Sequence, residues 1–207
     1  NKVYLLRSMK KPTYNASKPY LLIKIHKLNS IPVDPTEAMK VKSRLLVPGM
    51  NTVTENPSKL LHQRLYPILK RHCNWILKDT KQFLDDLTHI NVNPDTDTID
   101  SMDIASMYPN IPIEAGINAV NWLLEKDNQS RQDIAFILPL LRIVMWNNLL
   151  VYRGKHYRQT HGTAMGTSVA VVFANIFIYR IEHTLFATNR YEFKLYRRYI
   201  DDILAVK

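Results

Sequence analysis

Tyr199-Ile200-Asp201-Asp202 places two carboxylates side by side between short apolar runs. The flanks, Phe193 to Arg198 and Ile203 to Val206, are rich in β-branched and aromatic residues and predict two strands with the acids at the bend. Neighbouring strand residues face opposite ways, so a tight bend is needed before both acids can serve one site. Paired aspartates repel, and a divalent cation is the usual compensation. A third acid, Asp103, closes a strand-like run from Thr98 to Ile104. Three aspartates at strand ends and turns point to a site for two Mg²⁺ ions that moves phosphoryl groups. Most lone Asp-Asp pairs are solvated turn residues, so the elements that position these acids must decide.

Tyr20 to Lys27 reads as a strand with charges gathering at its end, and Lys42 to Val47 as a second, stopped by Pro48-Gly49. Asn56-Pro57 predicts a helix start with Asn as the cap. Leu60, Leu61, Leu65, Ile68, Leu69, Ile76 and Leu77 then recur at helical spacing, with a kink at Pro67. After a turn-rich link from Asn91 to Asp97 comes the Asp103 strand. Helices are predicted from Ile113 and over Arg131 to Leu150, the latter interrupted by Pro139. Val151 to Arg158 reads as a hairpin turning at Gly154, and Gly162 to Gly166 as a loop into an apolar helix. That helix, Thr163 to Tyr179, is short and polar for a membrane span and runs straight into Arg180 and Glu182; a buried core helix is expected. Trp75, Trp122 and Trp146 fall in apolar patterns and are expected in the core.

The formal net charge of the 207 residues is +10, unevenly spread. Residues 1–82 hold 16 Lys and Arg against 4 Asp and Glu, whereas 83–207 hold 12 against 14. A basic front joined to a near-neutral part with clustered acids suits a protein that grips a polyanion and binds metal; a merely solubilising basic surface has the same composition. The single cysteine, Cys73, excludes an intrachain disulfide and a Cys-rich zinc module, and fits a reducing compartment. The histidines show no HExxH or other ligand spacing, and no amino-terminal signal peptide is visible.

Asp103-Ile104-Ala105-Ser106-Met107-Tyr108-Pro109-Asn110-Ile111-Pro112 resembles the first catalytic motif of the Penelope-like retroelement reverse transcriptases. Gln159 to Ser168, with Gly162 and Ala164-Met165-Gly166, resembles their second motif, and Tyr199 to Asp202, preceded by Arg198, their third. Lys24-Ile25-His26-Lys27 and Ser43-Arg44 are similar to their finger motifs. Family members usually carry Ser-Pro after Ala-Met-Gly and again downstream, where this chain has Thr167-Ser168 and Ala170-Val171.

The resemblance implies an α+β polymerase right-hand fold: fingers plus palm, with a small antiparallel sheet backed by helices and the thumb missing. Residues 1–90 would be the basic fingers-like region with its long helix, and 91–207 the palm, truncated after the acid turn. It implies an RNA-directed DNA polymerase in which Asp103, Asp201 and Asp202 are catalytic and, with the Ile104 carbonyl, hold two Mg²⁺ ions, Mn²⁺ being able to substitute. Tyr108 would select deoxyribonucleotides by clashing with a 2′-hydroxyl. Arg44, Lys24, Lys27, Met165 and Gly166 would meet the incoming nucleotide; Gln159, Gly162, Tyr199 and Arg198 would meet template or primer. For Arg197 and Arg198, steadying the acid turn is the alternative to contacting primer phosphate. The implied partners are an RNA template with a DNA primer, deoxynucleoside triphosphates, and the rest of a polymerase in the same or another chain. The implied setting is the nucleus, and the isolated stretch is expected to be inactive. Two rivals stand beside this reading. One is a non-catalytic nucleic-acid-binding scaffold on the same fold. The other is a family B-like DNA polymerase, whose Asp-x-x-Ser-Leu-Tyr-Pro-Ser-Ile motif Asp103 to Ile111 also resembles, although its third motif, Tyr-Gly-Asp-Thr-Asp, is not matched here.

Overall fold

A computed structural model describes residues 14–24, 34, 36–37, 41–188 and 193–207. The acid-bearing strands form where the β-branched and aromatic runs predicted them. β3 (Ile99–Asp103), β6 (Leu195–Tyr199) and β7 (Asp202–Val206) make one antiparallel sheet in the order β3-β7-β6. The sheet is small, and its central strand β7 begins with an acid. β6 and β7 join through the two-residue turn Ile200-Asp201, closed by Tyr199 opposite Asp202. Two further antiparallel ribbons complete the described strands: β1 (Tyr20–Ile23) with β2 (Ser43–Leu46), and β4 (Leu149–Tyr152) with β5 (Lys155–Arg158).

The helices bury what their apolar spacing promised. α1 (Glu55–His72) carries Glu55 in its first turn and Lys70, Arg71 and His72 in its last, each charge suited to the helix dipole. Its cap is Thr54 rather than Asn56, so Pro57 lies inside the first turn, where a missing N–H costs nothing. The helix does not continue to Ile76 and Leu77. At Cys73 the chain turns extended and runs beside β6: the Leu77 amide donates to the Arg198 carbonyl at 2.8 Å and the Arg198 amide to the Trp75 carbonyl at 2.9 Å. A short apolar run fits a buried strand as well as a helix, and here pairing with β6 wins. α2 (Thr80–Thr88), capped by the Asp79 carboxylate accepting from the Gln82 amide, was not anticipated.

α3 (Met107–Asn110) is a single turn after Ser106. α4 (Ile113–Lys126), α5 (Arg131–Trp146, capped by Ser130) and α6 (Ala170–Thr188) follow. α5 accommodates Pro139 but stops at Trp146, so that Leu149 and Leu150 open β4 instead. α6 packs against α4 and α1, and α5 packs against the same two helices. Their shared core includes Leu65, Val120, Leu123, Leu141 and Phe173, all fully buried. α6 is long and apolar enough to cross a membrane, yet Val172, Phe173, Ala174 and Ile176 are core residues and its Asn175 and Glu182 are buried against protein. Trp75, Trp122 and Trp146 are partly buried and pack on this core.

Candidate active site

The three aspartates are brought to one end of the β3-β7-β6 sheet. Asp103, the last residue of β3, lies directly opposite Asp202, the first of β7. Residues directly opposite in an antiparallel pair share a face, with Cβ atoms roughly 4.5–5.5 Å apart. Asp201 belongs to the turn, and its carbonyl accepts from the Ile104 amide at 2.9 Å, which ties the turn to the end of β3. Asp103 and Asp202 are exposed and Asp201 is half-buried. Ile200 has φ 57°, a left-handed conformation that a β-branched residue rarely adopts. Such a backbone costs on the order of 1–3 kcal/mol and persists only where its surroundings hold it.

Arg198 supplies much of that hold. Its side chain is fully buried. Nε donates to Glu182 Oε1 at 2.6 Å, Nη2 to Glu182 Oε2 at 3.1 Å, and Nη1 to both Asn175 Oδ1 at 2.5 Å and the Ile200 carbonyl at 3.0 Å. Glu182 also accepts from Trp75 Nε1 and the Tyr196 hydroxyl, each at 2.8 Å. This corrects the expectation that Arg198 meets template or primer. Its donors are engaged by α6 and the turn, and the steadying role is the one its position allows. Arg197, next in the strand, points away and pairs with Asp86 of α2 at 2.6 Å. Burial, with Glu182 nearby, pushes the Cys73 thiol up to about 12, so it is an inert core residue.

Tyr108, in the single turn of α3, is half-buried. Burial raises its hydroxyl pKa; the Asp201 carboxylate raises it further and the Arg44 guanidinium opposes. The ring therefore lies within electrostatic reach of both residues. Arg44 itself sits on β2 opposite Leu22 and is exposed.

The Gly162–Gly166 loop stitches these parts together. The Thr163 amide donates to the Tyr108 carbonyl at 2.8 Å. Gly162 has φ +69°, and a Cβ there would stand 2.5 Å from the Pro109 carbonyl oxygen, so only glycine allows this approach. On the loop's other side the Val47 amide donates to the Met165 carbonyl at 2.8 Å and the Gly49 amide to the Gly166 carbonyl at 3.0 Å. Gly166 has φ +118°, and a Cβ would meet the Val47 carbonyl oxygen at 2.8 Å. Met165 is half-buried. Gln159 closes the β4–β5 ladder, its amide donating to the Asn148 carbonyl at 3.0 Å and its side chain to the His161 carbonyl at 2.9 Å. Tyr199 is exposed beside Asp202. Lys24 sits at the end of β1, its amide donating to the Lys42 carbonyl, and Lys27 lies outside the described residues.

No family model matches the sequence, and no curated protein matches it. Solved structures do. A telomerase from Candida albicans, in complex with a TWJ fragment of telomeric RNA, superposes with a TM-score of 0.62 over 97% of this chain at 13% identity. An apo telomerase from Candida Tropicalis superposes with a TM-score of 0.63 over 100% of the chain at 11% identity. The chain has a telomerase-like fold. It spans 39% and 43% of the length of those two proteins. Telomerase is a reverse-transcriptase-related enzyme, so the fold is polymerase-like, and its mixed helices and small antiparallel sheets agree with the α+β expectation.

The donor set of this telomerase-like chain suits a hard cation. Among the described residues no group of three His, Cys, Asp or Glu side chains is disposed to hold an ion by itself. Mg²⁺ is typically held by one or two carboxylates plus substrate phosphates rather than by an all-protein cage, and Asp103 opposite Asp202, with Asp201 adjacent, offers that partial shell. Like charges directly opposite are unfavourable without a counter-ion. Sequence reasoning missed the Glu182–Asn175 support for the turn. Its signal was two polar residues seven apart, hence on one face, in a helix whose first half is otherwise apolar.

Proposed function

We propose that this chain is the fingers-and-palm part, divided near residue 90, of an RNA-directed DNA polymerase resembling the Penelope-like reverse transcriptases. The observation that carries the reading is Asp103 in register with Asp202, with Asp201 tied to Ile104, beside Tyr108 and the Gly162–Gly166 loop, on a telomerase-like fold. Asp103, Asp201 and Asp202, with the Ile104 carbonyl, would hold two Mg²⁺ ions, or Mn²⁺ in their place. Bound there, the metals supply charge stabilisation for transfer of a nucleotidyl group to a primer 3′-hydroxyl.

The chain's own residues position the reactants, which is most of the catalysis in a transfer that needs no protein nucleophile. Arg44 offers a bidentate fork to the triphosphate and Lys24 and Lys27 point charges. The half-buried Tyr108 ring lies where a 2′-hydroxyl would crowd it, selecting deoxyribonucleotides. Met165 and Gly166 border the incoming nucleotide, and Gln159, Gly162 and Tyr199 border template and primer. The partners are an RNA template with a DNA primer and deoxynucleoside triphosphates; the RNA bound to the Candida albicans telomerase supports a nucleic-acid partner. The remainder of the polymerase would come from the same or another chain, and the setting would be nuclear.

Primer extension on an RNA template tests this, using the chain alone and within the longest protein that carries it. Extension with dNTPs that disappears in Asp201→Asn supports the reading. Salt-sensitive binding of the same duplex with no extension under any of these conditions overturns it in favour of a non-catalytic scaffold.

A further inference from the structure

The β4–β5 hairpin leads into the site without contributing to the acid cluster. Between Asp133 and Glu182 the sequence contains no acidic residue. Within that stretch Arg153, Lys155 and Arg158 are all exposed, and among the described residues none of them forms an ion pair. The register places Leu150, Tyr152, Lys155 and Tyr157 on one face of the ribbon. Tyr152 is 52% and Tyr157 47% exposed. Neither ring is spent on the core, and the Arg153 guanidinium stands 5.4 Å from the Tyr152 ring centroid, close enough for cation–π attraction.

The base of the hairpin is fixed and its direction is set. The Ser17 amide donates to the Leu149 carbonyl at 3.1 Å and the Val151 amide to the Ser17 carbonyl at 2.8 Å, pairing the outer edge of β4. β5 runs directly into Gln159, and three residues later Gly162 rests on Pro109 beside Tyr108. A strand laid along this face therefore leads towards Tyr108. Two exposed rings with Lys155 on their face and Arg153 beside Tyr152 at the turn match single-stranded nucleic acid, with Arg158 on the opposite face: bases stack on aromatic faces whatever their identity, and the cations meet phosphates. An acidic polypeptide would satisfy the cations but leave the rings without a purpose.

We propose that the β4–β5 hairpin binds single-stranded nucleic acid, stacking bases on Tyr152 and Tyr157 while Lys155 and Arg153 contact the backbone. The bound strand is the template ahead of the site; that last identification rests on the polymerase reading, whereas the binding does not.

The test is fluorescence anisotropy of the full chain with a labelled single-stranded RNA of about 20 nucleotides and a blunt RNA duplex, each over a range of salt. Tyr152→Ala with Tyr157→Ala is expected to weaken single-strand binding by about ten-fold or more and to leave duplex binding unchanged. Arg153→Gln and Lys155→Gln together are expected to lower the slope of log affinity against log salt by about 1.4. All four side chains are exposed, so unchanged thermal melts establish that the variants fold. Unchanged single-strand affinity and salt slope in both folded variants overturns the proposal. So does displacement of the RNA by polyglutamate when the tyrosine variant binds RNA as tightly as wild type, which would make this a surface for acidic protein. Failure to extend a primer both by the chain alone and within the longest protein that carries it, alongside single-strand binding through these residues, sinks the polymerase reading and leaves the hairpin proposal standing.

Discussion

The Arg198 guanidinium donates to the Ile200 carbonyl at 3.0 Å while Glu182 and Asn175 hold it from α6. A buried ion pair therefore reaches from the helical core to the peptide that precedes Asp201. Such pairs contribute little net stability over an apolar replacement, because desolvation offsets attraction, but breaking one strands a buried charge. What this pair adds is direction: it fixes a left-handed isoleucine at the turn that carries the acids.

Arg198→Met should accordingly lower unfolding free energy by about 3–5 kcal/mol, because Glu182 is left buried without its cation. Adding Glu182→Leu should recover part of that loss; Trp75 Nε1 and the Tyr196 hydroxyl would still lack their acceptor. Denaturant unfolding measures both. Primer extension by the double variant should stay impaired despite the regained stability, because the Ile200 carbonyl has no donor. Full recovery of extension would reduce Arg198 to a stability role.

Local signals carried most of what the residues disclosed. Strands around the acids, the Gly154 hairpin and the Gly162–Gly166 loop follow from β-branched runs and from glycines that adopt positive φ. Long-range pairing is where reading from sequence ran out. Ile76 and Leu77 fit a helical period, and only the presence of β6 draws them into an extended pairing. Arg198 looks like any basic residue beside an acid turn until Glu182, distant in sequence, is placed against it. Nothing in the chain order indicates that Arg44 and Asp201 act on the same tyrosine, since that relation exists only after the Met165–Gly166 carbonyls have been joined to Val47 and Gly49.

Two glycines with positive φ separate backbone strain from close approach. Gly154, φ +74°, has nothing within 4 Å of where a Cβ would stand, whereas at Gly162, φ +69°, the Pro109 carbonyl oxygen is 2.5 Å away. Gly154→Ala should cost about 1 kcal/mol in unfolding free energy, from the left-handed conformation alone. Gly162→Ala should cost at least about 2 kcal/mol more, since loop or α3 must move. Equal losses would show that the loop yields freely and is a poor clamp on Tyr108.

Tyr108→Ala tests the sugar gate that the proposed function assigns to this ring. Removing it opens space beside Asp201, and discrimination between dNTPs and rNTPs, as the ratio of kcat/KM values, should fall by about ten-fold or more. Tyr108→Phe keeps the ring and loses only the hydroxyl, so its ratio should remain near that of wild type. A fall of similar size in both variants would shift the selectivity from the ring's bulk to its hydroxyl.

Asp127 gives a pH dependence that does not rest on any reading of function. It ends α4 and accepts from Arg71 at 2.6 and 3.2 Å and from Gln129 at 2.7 Å, with His72 Nε2 at 2.7 Å, so it ties the end of α1 to the end of α4. The Arg71 hydrogen bonds, outweighing desolvation, hold its carboxyl at about 2, below the ordinary 3.8. A carboxyl depressed on folding stabilises the native state above its unfolded pKa and loses that contribution as pH falls through the folded value. Asp127→Asn should therefore lower stability by about 1 kcal/mol near neutral pH, a figure discounted for the exposure of Arg71. The gap between variant and wild type should stay constant down to about pH 4 and close towards pH 2. Denaturant midpoints across that range measure it, and a gap that persists unchanged at pH 2 would remove the ion pair as its cause.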